Sequence, residues 1–154
     1  MMTIFSKGLT YLATNSQTLN WTIWRILTST MFMTHGYSKL FSNKPQAFSG
    51  SGMTSIEISG LVSWQMPFEV NALFLAGVIE FFGGALICLG LWTRTAAALC
   101  ALLMIAAYLI AHPAWLPTTN GGELAAIYMA TFLALFSFGP GKLSLDALTR
   151  RSHQ

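Results

Sequence analysis

Apolar residues run through this sequence in four long blocks, with most polar and charged residues gathered between them. The blocks cover about residues 19–40, 70–91, 95–111 and 124–138. Crossing about 30 Å of hydrocarbon takes roughly 20 mostly apolar residues in a helix, because lipid offers the backbone no hydrogen-bond partner. Each block is therefore predicted to be a transmembrane helix. Together they take up about half the chain, which leaves no room for a separate soluble domain. The predicted fold class is all-α: an integral membrane four-helix bundle that forms one domain over residues 1–154. The second and third blocks are joined by Leu91-Trp92-Thr93-Arg94-Thr95, so short a link that the two helices must be antiparallel neighbours.

The segments between the blocks carry their own signals. From Met1 to Asn20 a few apolar residues (Ile4, Phe5, Leu9, Leu12) stand among Ser, Thr and Asn, a pattern that predicts a short interfacial helix. The apolar run that follows starts late and contains Arg25, unlike a cleavable signal peptide, so the first span is expected to stay in the mature protein. The connection from Phe41 to Pro67 opens with Gly and Ser and turns apolar around Ile56 to Trp64. That half is expected to be a short helix on the outer leaflet, or else a surface loop. After Phe138 come Gly139-Pro140-Gly141; glycine suits a left-handed cap and proline cannot continue a helix. Ser144 can then cap a short basic helix holding Arg150 and Arg151.

Composition sharpens the membrane reading. The chain is 54% hydrophobic and 8% charged, against about 25% charged in soluble proteins. A formal charge of +3 is too thin and dispersed for a nucleic-acid surface, so nucleic acid is excluded as a partner. Sorting the cations by side puts Lys7, Arg94, Lys142, Arg150 and Arg151 together, and Lys39 and Lys44 opposite, near Glu57, Glu69 and Glu123. The positive-inside rule then places both termini in the cytoplasm. Trp21 and Trp92 fall at the inner boundary and Trp64 and Trp115 at the outer one, where amphipathic rings prefer to sit.

Ionisable groups within a membrane cost about 2.5 to 3.5 kcal/mol on insertion scales, so each needs a partner or a watery cavity. Arg25 and Glu80 are the deepest here, and an extended Arg side chain is expected to reach Glu80. Two readings stay open for them: an ion pair that locks the first two helices, or a proton or quinone site. Gly83 and Gly84 follow Glu80 and allow close approach of a ligand or of another backbone. A second group, His35, Lys39, His112 and Glu123, with Glu69 beside it, falls at the outer helix ends. It is expected to form one connected polar site for protons or a ligand, though each residue could also simply face water. Cys88 and Cys100 form no CxxC and suggest neither a zinc site nor a disulfide framework. Their matching depth on hairpin partners leaves a thiol pair open beside the ordinary reading as small hydrophobes. Met33, Met53 and Met66 tend to the outer side, where soft ligands could meet copper, but packing explains them as well, and no metal site is assigned.

Four stretches together resemble the DoxX family of small four-helix bacterial membrane proteins. They are WRILTSTMFMTHGYSKLF with Arg25, Gly36 and Lys39; EFFGGALICLGLWTR with Glu80, Gly83, Gly84, Gly90 and Arg94; AHPAW; and GGELAAIY running on to FGPGKLSLD. The resemblance implies a multi-pass protein of the bacterial inner membrane. It also implies an association with redox systems, the family name coming from a subunit linked to a terminal quinol oxidase and a thiosulfate:quinone oxidoreductase. No haem, flavin or nucleotide motif is present, so any electron transfer would use a quinone or quinol, or a partner's cofactor. The function expected is a redox-associated subunit contacting quinone or quinol. The partners expected are the lipid bilayer, subunits of a redox complex, or a second copy of the chain. Two other classes compete: a non-catalytic scaffold or anchor for a partner complex, and a small metal- or solute-handling protein.

Overall fold

The computed structural model describes the backbone of residues 2–41, 53–58, 62–70 and 72–151, and the side chains of residues 10–41 and 73–150. Its first helix, α1 (Met2–Phe41), is 40 residues long and unbroken. The short interfacial helix expected at the start is thus a continuation of the first span. Residues 1–41 contain no proline, and glycine stands only at positions 8 and 36, so nothing in the sequence stops the helix before its apolar section begins.

An antiparallel hairpin of β1 (Met53–Ile58) and β2 (Val62–Val70) follows, with Ile56 opposite Trp64 and Glu57 opposite Ser63. This corrects the expected surface helix and makes the chain predominantly, not purely, helical. Residues 54–58 alternate Thr-Ser-Ile-Glu-Ile, and Ile56, Ile58, Val62 and Val70 are β-branched, a composition that favours a pleated strand.

The second apolar block forms α2 (Ala72–Val78), a π-helical turn (Ile79–Gly83) and α3 (Gly84–Leu89). Gly90 ends it in the left-handed conformation at φ 68°, and α4 (Thr93–Ala111) starts three residues later. A short 3-10 turn (Pro117–Thr119) leads to α5 (Glu123–Phe138), and α6 (Leu145–Arg151) closes the described chain. The Ser144 hydroxyl accepts the Ala147 N–H at 3.2 Å, the cap expected for that last helix.

Contacts between helices fix their register. Gly36 of α1 lies against the backbone of Gly77 and Phe81, Gly84 against Ser29 and Met33, and Gly90 against Arg25. α1 therefore runs antiparallel to α2 and α3. Gly122 meets Tyr108, and Arg94 meets Phe136 and Gly139, so α4 and α5 are antiparallel as well. Ala96, Ala97, Cys100 and Ala101 of α4 are small and buried, and Tyr128, Phe132 and Leu135 of α5 complete the core with Phe32 of α1.

The outward faces are as apolar as the core. Leu99, Leu102, Leu109 and Ile110 of α4 and Ile127 and Phe136 of α5 are all exposed. A helix that is hydrophobic all round belongs in a core or in lipid. Among the described residues, Thr93–Ala111 is the helix long and apolar enough to cross a membrane by itself; Leu73–Leu89 and Glu123–Phe138 are apolar but shorter.

Candidate functional site

Glu80 lies in the π-helical turn and is 5% exposed. π-turns are rare, and where they occur they often mark functional positions. Its carboxylate does not meet Arg25. It accepts from Lys39 of α1, with Nζ to Oε2 at 2.5 Å. Register explains the correction. Gly36 sits beside Phe81, which puts Lys39 within a turn of Glu80, whereas Arg25 is level with Gly90. Gly36, eleven residues after Arg25 in the sequence, is about 16 Å further along the helix.

Beside the pair, His35 of α1 packs its ring on Tyr128 of α5 at 5.9 Å, and the Cys100 sulfur of α4 lies 3.9 Å from the carbonyl of Ile79, the residue before Glu80. Tyr128 is 4% exposed. Its ring touches Phe32 at 5.0 Å and Phe132 and His35 at 5.9 Å, and its hydroxyl is buried without a hydrogen-bond partner among the described residues. The cluster thus draws a side chain from each of the four helical rods. Gly83 and Gly84 serve helix contacts here. A Cβ on Gly83 would fall 2.7 Å from the Cys100 sulfur, and one on Gly84 would fall 2.6 Å from Met33 Cγ.

Arg25, 2% exposed, belongs to a second polar cluster at the end of the bundle nearest α6. Its Nη1 donates to the Pro140 carbonyl at 2.6 Å and its Nη2 to the Leu143 carbonyl at 2.9 Å. Asp146 finishes the arrangement: its carboxylate accepts the N–H groups of Trp92 (2.8 Å) and Thr93 (3.0 Å), and its own N–H donates to the Gly90 carbonyl. Asp146 thus caps α4 from a distant part of the chain, where Trp92, the residue before the helix, has a φ of 46°. The segment after α5 is thereby tied both to α1 and to the α3–α4 turn.

The expected outer group does not form one site. His35 and Lys39 join Glu80. His112 Nδ1 instead lies 2.8 Å from the Asn120 carbonyl in its own loop, and Glu123 is exposed at the start of α5. Helix ends that share a level need not share a face, and the loop between α4 and α5 supplies His112 with a nearby partner. Among the described residues no group of three His, Cys, Asp or Glu could hold a metal ion. Cys88 faces Thr30 of α1, with its sulfur 3.8 Å from the hydroxyl, while Cys100 faces Gly83 and the Ile79 carbonyl, and both are free thiols. Met33 packs on Gly84. Lys44 and the side chains of Lys7, Glu57, Glu69, Met53, Met66 and Trp64 lie outside the described residues.

Sequence reasoning did not single out Tyr128 or Asp146. The signal for Tyr128 was a phenol within a largely apolar stretch of α5, and that for Asp146 was a carboxylate just after a glycine- and proline-rich helix stop.

The model of the DoxX family matches residues 20–113. An uncharacterised protein of Haemophilus influenzae is 37% identical over 127 residues, covering 79% of this chain and 84% of its own. The chain belongs to the DoxX family. No solved structure matches it. DoxX proteins are membrane-associated, in keeping with the apolar outer faces of α4 and α5. The DoxX match contains Arg25, His35, Lys39, Glu80, Cys100 and His112, and ends before Tyr128 and Asp146. The stretches GGELAAIY and FGPGKLSLD, which also carry the resemblance, lie beyond it.

A groove of about 900 Å³ opens beside the Arg25 end of this DoxX chain. Trp21, Trp24, Phe138 and Lys142 line it, with Gln17 and Thr18 of α1. None of the residues around Glu80 takes part in it.

Proposed function

We propose that this chain is a redox-associated subunit of the bacterial inner membrane. In this reading it spans the bilayer four times with both termini in the cytoplasm, and it holds a quinone or quinol at the Lys39–Glu80 cluster. The observation that carries the reading is the ion pair itself, in which the Glu80 side chain is buried and that of Lys39 partly so. A charged pair inside an apolar bundle is costly to desolvate and does little for stability that a packed apolar pair would not do. In a membrane such groups mark ligand or proton sites by default.

The residues present suit a quinone. Its ring needs apolar and aromatic walls with one or two hydrogen-bonding groups, and here Phe32, Phe132 and Tyr128 stand beside Glu80, Lys39 and His35. A bound quinone or quinol supplies two-electron, two-proton chemistry, with the oxidant or reductant belonging to a partner. The protein's own part is to bind the ring, to exclude water and to offer Glu80 as a proton acceptor. Lys39 holds that carboxylate in place, and its side chain is 20% exposed, against 6% for that of Glu80.

The alternative in which His35, His112 and Glu123 share a metal loses its geometric basis, because His112 and Glu123 stand apart from His35. The test is to purify the protein in mild detergent and identify the small molecules that copurify by mass spectrometry. The expected result is a quinone close to one per chain, lost in Glu80→Gln at equal folded protein. Empty wild-type protein would favour the scaffold class instead.

A further inference from the structure

The Tyr128 hydroxyl finds no use in the fold of the described residues. It is buried and has no hydrogen-bond partner among the described residues, and an unpaired buried hydroxyl opposes folding. Its ring packs against Phe32 and Phe132, which also touch each other, so a phenylalanine at this position would fill the same space without that cost. Buried polar groups nearly always have a partner, and one that lacks it calls for a reason.

The groups facing it narrow down what that partner is. His35, whose ring packs on Tyr128, stands one turn before Lys39 on α1, and the Glu80 carboxylate that Lys39 meets has one oxygen, Oε1, outside the ion pair. Lys39 uses one of its three N–H groups on Oε2, and His35 presents its ring edge-on to the tyrosine. This set repels an inorganic anion through Glu80 and a metal cation through Lys39. It favours a neutral molecule with oxygens that both accept and donate hydrogen bonds, flat enough to enter an aromatic cluster.

We propose that the Tyr128 hydroxyl donates a hydrogen bond to one carbonyl oxygen of a quinone-type ring, while the Lys39–Glu80 pair engages the ring from its other side. This rests on the function proposed above and assigns the residue that recognises the ligand. The same phenol can accept when the ligand oxygen carries a hydrogen, so oxidised and reduced rings are held by the same residue.

The experiment uses the full chain in detergent with a short-tailed ubiquinone carrying ¹³C at its ring carbonyls. Affinity is read from tryptophan quenching and hydrogen bonding from the infrared carbonyl band, for the wild type, Tyr128→Phe and, as a control on the stacking, Phe132→Leu. The wild type should bind saturably with one carbonyl band shifted to lower frequency. Tyr128→Phe should melt no lower than the wild type, bind roughly tenfold more weakly, the worth of one hydrogen bond, and return that band to its free position. Phe132→Leu should keep the shifted band. If Tyr128→Phe binds as tightly as the wild type with the band still shifted, the tyrosine is not the donor, and the quinone reading stands without it. A change confined to melting temperature has the same meaning and gives the hydroxyl to a buried water. No saturable binding by the wild type overturns the quinone reading and this proposal together.

Discussion

Lys39 and Glu80 stand 41 residues apart in sequence and meet with 2.5 Å between Nζ and Oε2. The contact exists because Gly36, three residues before Lys39, has no side chain to hold α1 away from the π-turn. A Cβ there would fall 2.8 Å from the Gly77 carbonyl oxygen. The ion pair therefore depends on the register of two helices as much as on the charges.

Gly36→Ala follows directly. The added methyl would push α1 off Gly77 and Phe81, at a cost of about 1–3 kcal/mol, typical of overpacking. Thermal unfolding in detergent should show a lower midpoint. An unchanged midpoint would mean that α1 does not approach the π-turn this closely.

Arg25→Ala should release the segment after α5, because the carbonyls of Pro140 and Leu143 lose their donor. Limited proteolysis should cut the variant soon after Phe138 while α1 to α5 stay intact. Equal resistance in variant and wild type would contradict this role.

Asp146→Ala removes the acceptor from the first N–H groups of the α4 turn. Loss of a helix cap costs about 0.5–2 kcal/mol, and the charged acceptor puts this one towards the upper end. Asp146→Asn keeps one oxygen and should recover part of the loss. A variant as stable as the wild type would show that the carboxylate is not the cap.

Topology has its own check. A reporter active only in the periplasm, fused after Gln154, should be silent if Lys7, Arg94, Lys142, Arg150 and Arg151 mark the cytoplasmic side. An active fusion would invert the orientation proposed.

The four helical rods were legible because hydropathy and cap residues speak directly in the sequence: the apolar blocks at 70–91, 95–111 and 124–138 became helices ending within about two residues of those bounds. The unbroken α1 was missed because its polar first half reads as a separate element, although no breaker divides it. The hairpin was missed because its apolar run was weighed by hydropathy when its period of two carried the signal. Glu80 and Arg25, singled out as the deepest ionisable groups, are both buried. Their partners were not legible, since depth counted from span ends ignores the offset between helices, which is set by Gly36, Gly84 and Gly90 in contact. Tyr128 could not be found by charge, because an orphaned hydroxyl shows itself only once its surroundings are known.

Lys39, and not Arg25, is the partner of Glu80. Double-mutant cycles in detergent, pairing Glu80→Gln with Lys39→Met and separately with Arg25→Met, measure both couplings directly. The structure predicts a coupling of about 1–3 kcal/mol for Glu80 with Lys39, and one near zero for Glu80 with Arg25. The reverse order, with Arg25 coupled and Lys39 independent, would contradict it.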